Sequence, residues 1–360
     1  MKTKTEKVTQ TSANETSKTI CKIGLDVHAA SIMVVQQIDG MNPKPPQRFS
    51  PQAFLDWIQE QVKKGFKIIS CYEAGPTGYW LHRKLTEYGV TNYVVCPTRL
   101  DSRAKGVNTD KTDAIELLVR LDRYVAGNKK AFSVVSVPTL EQEQKRALTR
   151  QREQLKRQRL SLSAQGRMLL LTQGYRVSNF WWDAQKWIKI KCLISDWLLM
   201  QLECILRLIQ AVDKEIDYLT AQVIEKAPSN LPLNMGKLTY EVIEGEVKDW
   251  NNFKNRRQIA SYSGLTGGVS GSGERSSDLS ITKSGNRRLS SCLVECSWRI
   301  VFRQSNYWLV KKWKHVLLNP KAHVRRRKRA IVAFARQFLV DLWRWKTGKT
   351  TPENLGWVMS

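Results

Sequence analysis

The chain has little of several things that would announce a function. Four histidines in 360 residues leave little room for His-rich metal or Ser-His-Asp chemistry. Seven cysteines are scattered, with no CxxC pair, so a zinc-ribbon or thioredoxin-like reading has no support and free thiols are expected. There is no GxSxG elbow and no HExxH. The "TGKTT" near the end lacks the glycine of a phosphate-binding loop, because Trp343 stands in its place. No apolar run reaches membrane-spanning length, since even "FWWDAQKWIKIKCLISDWLLM" is broken by Lys and Asp. The first twenty residues are polar and carry no signal-peptide core, which predicts a disordered tail on a cytoplasmic protein.

Acid is also scarce. Fifty-nine Lys and Arg face 32 Asp and Glu, giving a net charge of +27 and a pI near 9.9. Such a chain repels itself unless it meets a polyanion, and nucleic acid is the first candidate. An anionic membrane is the second, but no basic amphipathic anchor or lipidation motif is present.

From Cys21 to Val137, strand-like runs alternate with helical ones. "KIGLDVHAASIMVVQQID", "FKIISCYEA" and "VTNYVVCP" read as strands. "SPQAFLDWIQEQVKKG", "GYWLHRKLTEYG" and "NTDKTDAIELLVRLDRYVAG" read as helices. This predicts an α/β domain over 21–137. From 138 to 227 the pattern becomes long helices. Leu148, Leu155, Leu162 and Leu169 repeat every seven residues, and Leu202, Ile205, Ile209, Val212, Ile216, Leu219 and Val223 step by threes and fours. That predicts an antiparallel coiled-coil hairpin joined by a Trp-rich segment. Its many cations read either as a solvated face or as a nucleic-acid face. After the linker "APSNLP", residues 228–348 form a mostly helical domain interrupted by the Gly- and Ser-rich loop "GLTGGVSGSGERSS", and 349–360 a tail. The last long helix opens with Arg325, Arg326, Arg327, Lys328 and Arg329, more charge than solvation needs.

Four acids invite a chemical reading. Asp26 and Glu73 end strands, and Asp110 and Asp113 share one face at the start of a helix. In an α/β sheet such positions converge on one rim. Carboxylates gathered there repel, and divalent cations relieve the repulsion. Two oxygen-bound Mg²⁺ ions can clamp the attacking and leaving oxygens of a phosphodiester. Each acid also has a plain structural role open to it: Asp110 as a helix cap, Asp113 as a favourable first-turn charge, Asp26 as a turn residue. His28 reads as an ordinary core or rim histidine, with contact to substrate as the alternative.

The order "GLDVHAA", "CYEAGPTGYW", "NTDKTDA", "NRRQIASYSGL", "GSG", "SITKSGN" and "KRAIVAFARQFLVDLWR" resembles the DEDD-type insertion-sequence transposases that carry a serine nucleophile, the RNA-bridged DNA recombinases. The subgroup resembled has a long central coiled coil, and the likeness runs from about Cys21 to Gly356. It implies an RNase H-like (RuvC-like) first domain whose Asp26, Glu73, Asp110 and Asp113 hold Mg²⁺. It implies a serine that forms a covalent phosphoserine with DNA, and it matches that serine to Ser272, with Ser270 and Ser276 as neighbouring alternatives. Here Gly267 and Gly271 depart from the usual pattern around the nucleophile. The resemblance further implies donor and target DNA and a noncoding guide RNA as partners. Homodimers would pair into a tetramer, with acids and serine contributed by different subunits of a nucleoid-associated assembly. Arg275, Lys283, Arg287 and Arg288, with the Arg325–Arg329 run, would contact nucleic acid. A metal-only nuclease or junction resolvase, and a non-catalytic nucleic-acid-binding protein, remain as alternatives.

Overall fold

The computed structural model describes residues 19–97, 109–272 and 275–360. The chain divides into two compact units, Met1–Val137 and Pro138–Ser360. Most of the first twenty residues, expected as a tail, lie outside the described residues. Among the described residues, no helix is long and apolar enough to cross a membrane.

The first unit runs β1 (Ile20–Val27), β2 (Ile32–Ile38), β3 (Gln47–Phe49), α1 (Pro51–Lys63), β4 (Lys67–Glu73), α2 (Trp80–Glu87), β5 (Thr91–Val95) and α3 (Asp110–Val125). It is mixed α/β. The sheet order is β3-β2-β1-β4-β5, antiparallel across β3, β2 and β1 and parallel across β1, β4 and β5. The three-residue β3 is invisible as a strand in the sequence, because a segment that short shows no alternation. Ser50 caps α1, accepting from the Ala53 N–H, and Pro51 follows at the first helical position. The core on one face joins Ile23, Leu25, Phe54, Ile58, Tyr72 and Leu81; the other face packs on α3 through Val35, Ala114 and Leu118.

Gly24 decides how α3 lies on the sheet. A Cβ built there would fall 2.3 Å from the Ala114 carbonyl oxygen and 2.5 Å from the Leu118 nitrogen. The α3 backbone therefore rests directly on β1, at a closeness only glycine permits.

The second unit begins with α4 (Leu140–Thr172), α5 (Ala184–Lys191) and α6 (Asp196–Glu225). Arg152 donates to Thr220 at 2.5 Å and Arg159 to Asp213 at 2.6 Å, so α4 and α6 run antiparallel. The α6 stripe is buried much as its spacing predicts: Leu202, Ile205, Ile209, Ile216, Leu219 and Val223. On α4 the buried positions are Thr149, Ser163, Gly166 and Leu170, while the heptad leucines are only half-buried. At Ser163 and Gly166 the reason is Trp181. Its ring fills the space at Gly166, where a Cβ would sit 2.1 Å from Cζ2, and its N–H donates to the Ser163 carbonyl at 2.9 Å. Small residues on α4 make room for a tryptophan from the connecting segment.

The chain continues through α7 (Lys237–Val247), α8 (Arg256–Tyr262), β6 (Gly267–Ser272), β7 (Arg275–Ile281), α9 (Arg287–Arg303), α10 (Trp308–Leu317), α11 (Val324–Lys346) and α12 (Pro352–Leu355). Buried Glu241 and Glu246 of α7 pair with Lys145 at 2.5 Å and Arg150 at 3.0 Å, tying α7 to α4. Burial pushes the Glu246 carboxyl up, but Arg150, Asn286 and Arg288 more than offset this and hold it below its ordinary value.

Two expectations are corrected here. The segment 349–360, expected as a tail, is built into the core: Leu355 and Trp357 are buried beside Tyr307 and Phe338. The linker "APSNLP" is also fixed. Leu231 is buried, and the Gln304 amide donates to the Leu233 and Val358 carbonyls while its oxygen accepts from the Val358 N–H. Scattered apolar residues too few to show periodicity carry both segments inward.

Candidate active site

Register and the α3 crossing bring the acids together. Asp26 is the partner of Met33, which is the partner of Arg48, so the three form one row across β1, β2 and β3. Leu25 is in register with Tyr72, so Asp26 and Glu73 leave adjacent parallel strands side by side. Helix α3 crosses at Gly24, two residues before Asp26 and therefore on the same sheet face. The start of α3, with Asp110 and Asp113, follows one turn away from Ala114. The cap of α3 is Thr109, which exchanges hydrogen bonds with Thr112 in a capping box. Asp110 thus has no capping duty.

One ligand atom from each of Asp26, His28 and Asp110 lies within 4.8 Å of the others. His28 Nε2 is 3.1 Å from Asp26 Oδ2 and 3.5 Å from Asp110 Oδ1. Arg48 donates to the other Asp110 oxygen at 2.7 Å. Burial pushes the Glu73 carboxyl above its ordinary value; Asp113, Asp26 and Glu116 push the same way, and Arg120 opposes them. Asp113 is raised by burial, then by Asp26, Glu116 and Asp110, with His28 opposing. These are the shifts expected of carboxylates that share a site and feel one another's charge. The donor chemistry fits a hard divalent cation: several carboxylate oxygens, partly exposed, mutually repelling. Sequence reasoning passed over Arg48, Glu116 and Arg120. Glu116 was within reach of it, three residues beyond Asp113 on the same helix face; Arg48 was not, because only the β3 pairing places it.

The Gly- and Ser-rich segment, expected as a loop, is a β-hairpin. Gly267, Val269, Ser270, Gly271 and Ser272 pair with Ile281, Asp278, Ser277, Ser276 and Arg275, with a bulge near Gly268. Its ladder is made by backbone groups, so side-chain patterning gave no warning of it. The foot of the hairpin is clamped by glycines: a Cβ at Gly285 would lie 2.3 Å from the Gly264 nitrogen. Thr282 donates to the Thr266 carbonyl at 2.9 Å and Asn286 to the Tyr262 carbonyl at 2.9 Å. Ser272 is the last residue of β6, at the end of the hairpin away from this clamp, and Ser270 lies two residues closer to it.

Comparison with known proteins bears on this hairpin directly. Residues 234–314, which contain it, match the model of the transposase IS116/IS110/IS902 family. The chain is 28% identical over 309 residues to a predicted transposase of Sinorhizobium fredii, y4rJ, spanning 78% of this chain and 77% of that protein. It is 29% identical over 265 residues to a second from the same organism, y4qE, spanning 67% of this chain and 60% of that one. It is 29% identical over 182 residues to the transposase for insertion sequence element IS1533 of Leptospira borgpetersenii, spanning 44% of this chain and 49% of that protein. The likeness is thus to insertion-sequence transposases, through a family model that spans residues 234–314 and through relatives below 30% identity.

The basic residues of the second unit divide into two kinds. Lys283 and Arg287 are exposed near the hairpin foot, and the side chain of Arg275 falls outside the description. Arg288 is committed internally: it pairs with Glu246 at 2.7 Å, with Glu153, and with the Thr149 carbonyl at 3.0 Å. Arg325, Arg326, Lys328 and Arg329 are exposed at the start of α11, while Arg327 lies half-buried over the Trp298 ring. Cations at a helix N-terminus oppose the helix dipole, costing about 0.3–1 kcal/mol each, so local folding does not explain the run. It borders a cleft of about 530 Å³ whose walls are Lys328, Arg329 and Arg336 on one side and Leu265, Gly267 and Leu279 of the hairpin foot on the other. A second cleft, about 490 Å³, lies between α4, α7 and α9 and is lined by Lys156, Arg157 and Arg287. On α4, Lys145, Arg150, Arg152 and Arg159 bind neighbouring helices.

Proposed function

We propose that this chain is an insertion-sequence transposase that cuts and rejoins DNA through a covalent phosphoserine at Ser272, with Mg²⁺ held by Asp26, Glu73, Asp110 and Asp113. The observation that supports the reading is the grouping of Asp26 and Asp110 with His28 within 4.8 Å, with Glu73 and Asp113 near enough to feel their charge. It is supported by the match of the hairpin-bearing segment to the transposase family. The mixed sheet, with order β3-β2-β1-β4-β5, supports an RNase H-like (RuvC-like) reading of that unit.

In the proposed exchange, the Ser272 hydroxyl oxygen bonds to phosphorus, and the phosphodiester bond to the leaving sugar oxygen breaks. The leaving oxygen takes up a proton and becomes a DNA hydroxyl. Rejoining is the reverse, with a hydroxyl of another strand attacking the phosphoserine and freeing Ser272. No phosphodiester is lost, so no nucleotide cofactor is needed. A bound divalent cation supplies Lewis-acid stabilisation of the phosphate and eases deprotonation of the attacking hydroxyl. Glycines beside Ser272 let DNA backbone approach closely, and the exposed cations of α11 neutralise phosphates.

The proposal includes a noncoding guide RNA that pairs with donor and target DNA. The protein would then read backbone and shape, a task suited to a chain of net charge +27. It also includes homodimers, with the long α4–α6 hairpin as the dimerisation region, that pair into a tetramer. The test is to trap protein–DNA adducts. Adduct formed by the wild type and Ser270→Ala but absent in Ser272→Ala supports the reading. Cleavage unaffected by Ser272→Ala replaces it with a metal-only nuclease. Cleavage that persists in Asp26→Asn and Glu73→Gln removes the metal site, and sequencing of copurifying RNA tests the guide.

A further inference from the structure

We infer that His28 is a nitrogen ligand of the divalent cation, completing a mixed nitrogen–oxygen site with Asp26 and Asp110 and shifting its preference from Mg²⁺ toward Mn²⁺. The inference rests on the carboxylate metal site proposed above and adds a donor that the four-acid reading does not contain.

The geometry carries it. In an octahedral site with bonds of about 2.1 Å, neighbouring ligand atoms are separated by roughly 3.0 Å. Nε2 of His28 stands 3.1 Å from Asp26 Oδ2 and 3.5 Å from Asp110 Oδ1, so it approximates that spacing to two carboxylates on two different elements. The histidine is fixed from behind: its backbone N–H donates to the Ser31 carbonyl at 2.9 Å in the tight turn that links β1 to β2. Its side chain is 54% exposed, so it fills no core and an ion can reach it. Arg48 occupies Oδ2 of Asp110 at 2.7 Å and leaves Oδ1 facing the histidine. Such outer contacts orient a ligating carboxylate.

Donor chemistry sets the consequence. Mg²⁺ takes oxygen ligands and dehydrates reluctantly, whereas Mn²⁺, the first member of the divalent transition series whose later members favour imidazole, tolerates one nitrogen beside carboxylates. The same distances would also suit a hydrogen-bonded histidine that merely bridges the two acids. The two roles differ in whether nitrogen touches the ion.

The test is pulsed electron paramagnetic resonance of the full chain loaded with Mn²⁺, reading the nitrogen modulation of a directly bound imidazole. The wild type is expected to bind Mn²⁺ and show the modulation. His28→Gln, at an exposed position, is expected to keep the wild-type circular dichroism, lose the modulation and bind Mn²⁺ about tenfold more weakly, with Mg²⁺ affinity changed less. Mn²⁺ bound to the wild type without nitrogen modulation, or modulation that survives in His28→Gln, overturns the role of His28 and leaves the carboxylate site standing. A wild type that binds no Mn²⁺, alongside Asp26→Asn behaving identically, overturns the carboxylate site and this inference together.

Discussion

Gly24→Ala is a small change with a large expected effect. The new methyl carbon would meet the Ala114 carbonyl oxygen at 2.3 Å, the Leu118 nitrogen at 2.5 Å and the Leu118 Cβ at 2.9 Å. Two of these are backbone atoms of α3, so no side-chain rotation relieves the overlap. Restoring ordinary contact requires α3 to lift by about 1 Å. Overpacking of this kind costs about 1–3 kcal/mol. In a unit of this size, each kcal/mol lowers the unfolding midpoint by roughly 3–6 °C. The same lift carries Asp110 and Asp113 away from Asp26 and Glu73. A displacement of that size in a catalytic array can reduce rate by about 100-fold. The assays are thermal unfolding by circular dichroism, divalent-cation titration and strand cleavage. A variant with an unchanged midpoint and unchanged cation affinity would refute the argument, because α3 would then not rest on Gly24 and the acids would not be set by that crossing.

Two further outcomes follow from the same structure. Glu73 and Asp113 have raised pKa values, so their contribution to stability is fully present below the unfolded carboxylate pKa and is lost as pH rises through the folded values. Asp113→Asn is therefore expected to raise the cation-free unfolding midpoint at neutral pH and to shrink the rise produced by added divalent ion; a lowered cation-free midpoint would contradict this. At the hairpin foot, Gly285→Ala places a Cβ 2.3 Å from the Gly264 nitrogen, and should abolish adduct formation while divalent binding by the first unit stays within twofold. Full adduct yield in that variant would show that the clamp does not position Ser272.

Much of this was readable in advance where a physical period exists. The strands of the first unit, the helix opening at Asp110 and the apolar stripe of α6 follow from alternation, capping residues and threes-and-fours spacing. The hairpin of "GLTGGVSGSGERSS" was not readable, because a ladder of backbone hydrogen bonds in a Gly- and Ser-rich segment leaves no side-chain pattern. The α4 seam was read one residue off, since Trp181 comes from a segment whose folding-back no heptad announces. Arg288 looked like a phosphate contact, and only its partners Glu246 and Glu153 show that it is committed inside the fold.

By itself the sequence determined the charge of +27, the order of elements, the four acids and the glycine-flanked serines, all of which are local properties of composition and spacing. The tertiary structure decided which groups meet. Asp26, Glu73, Asp110, His28 and Arg48 are up to 84 residues apart in the chain, and no short-range preference relates them. They come together because sheet register sets the four strands β3-β2-β1-β4 side by side and because Gly24, lacking a side chain, lets α3 lie close enough to bring its first turn near Asp26.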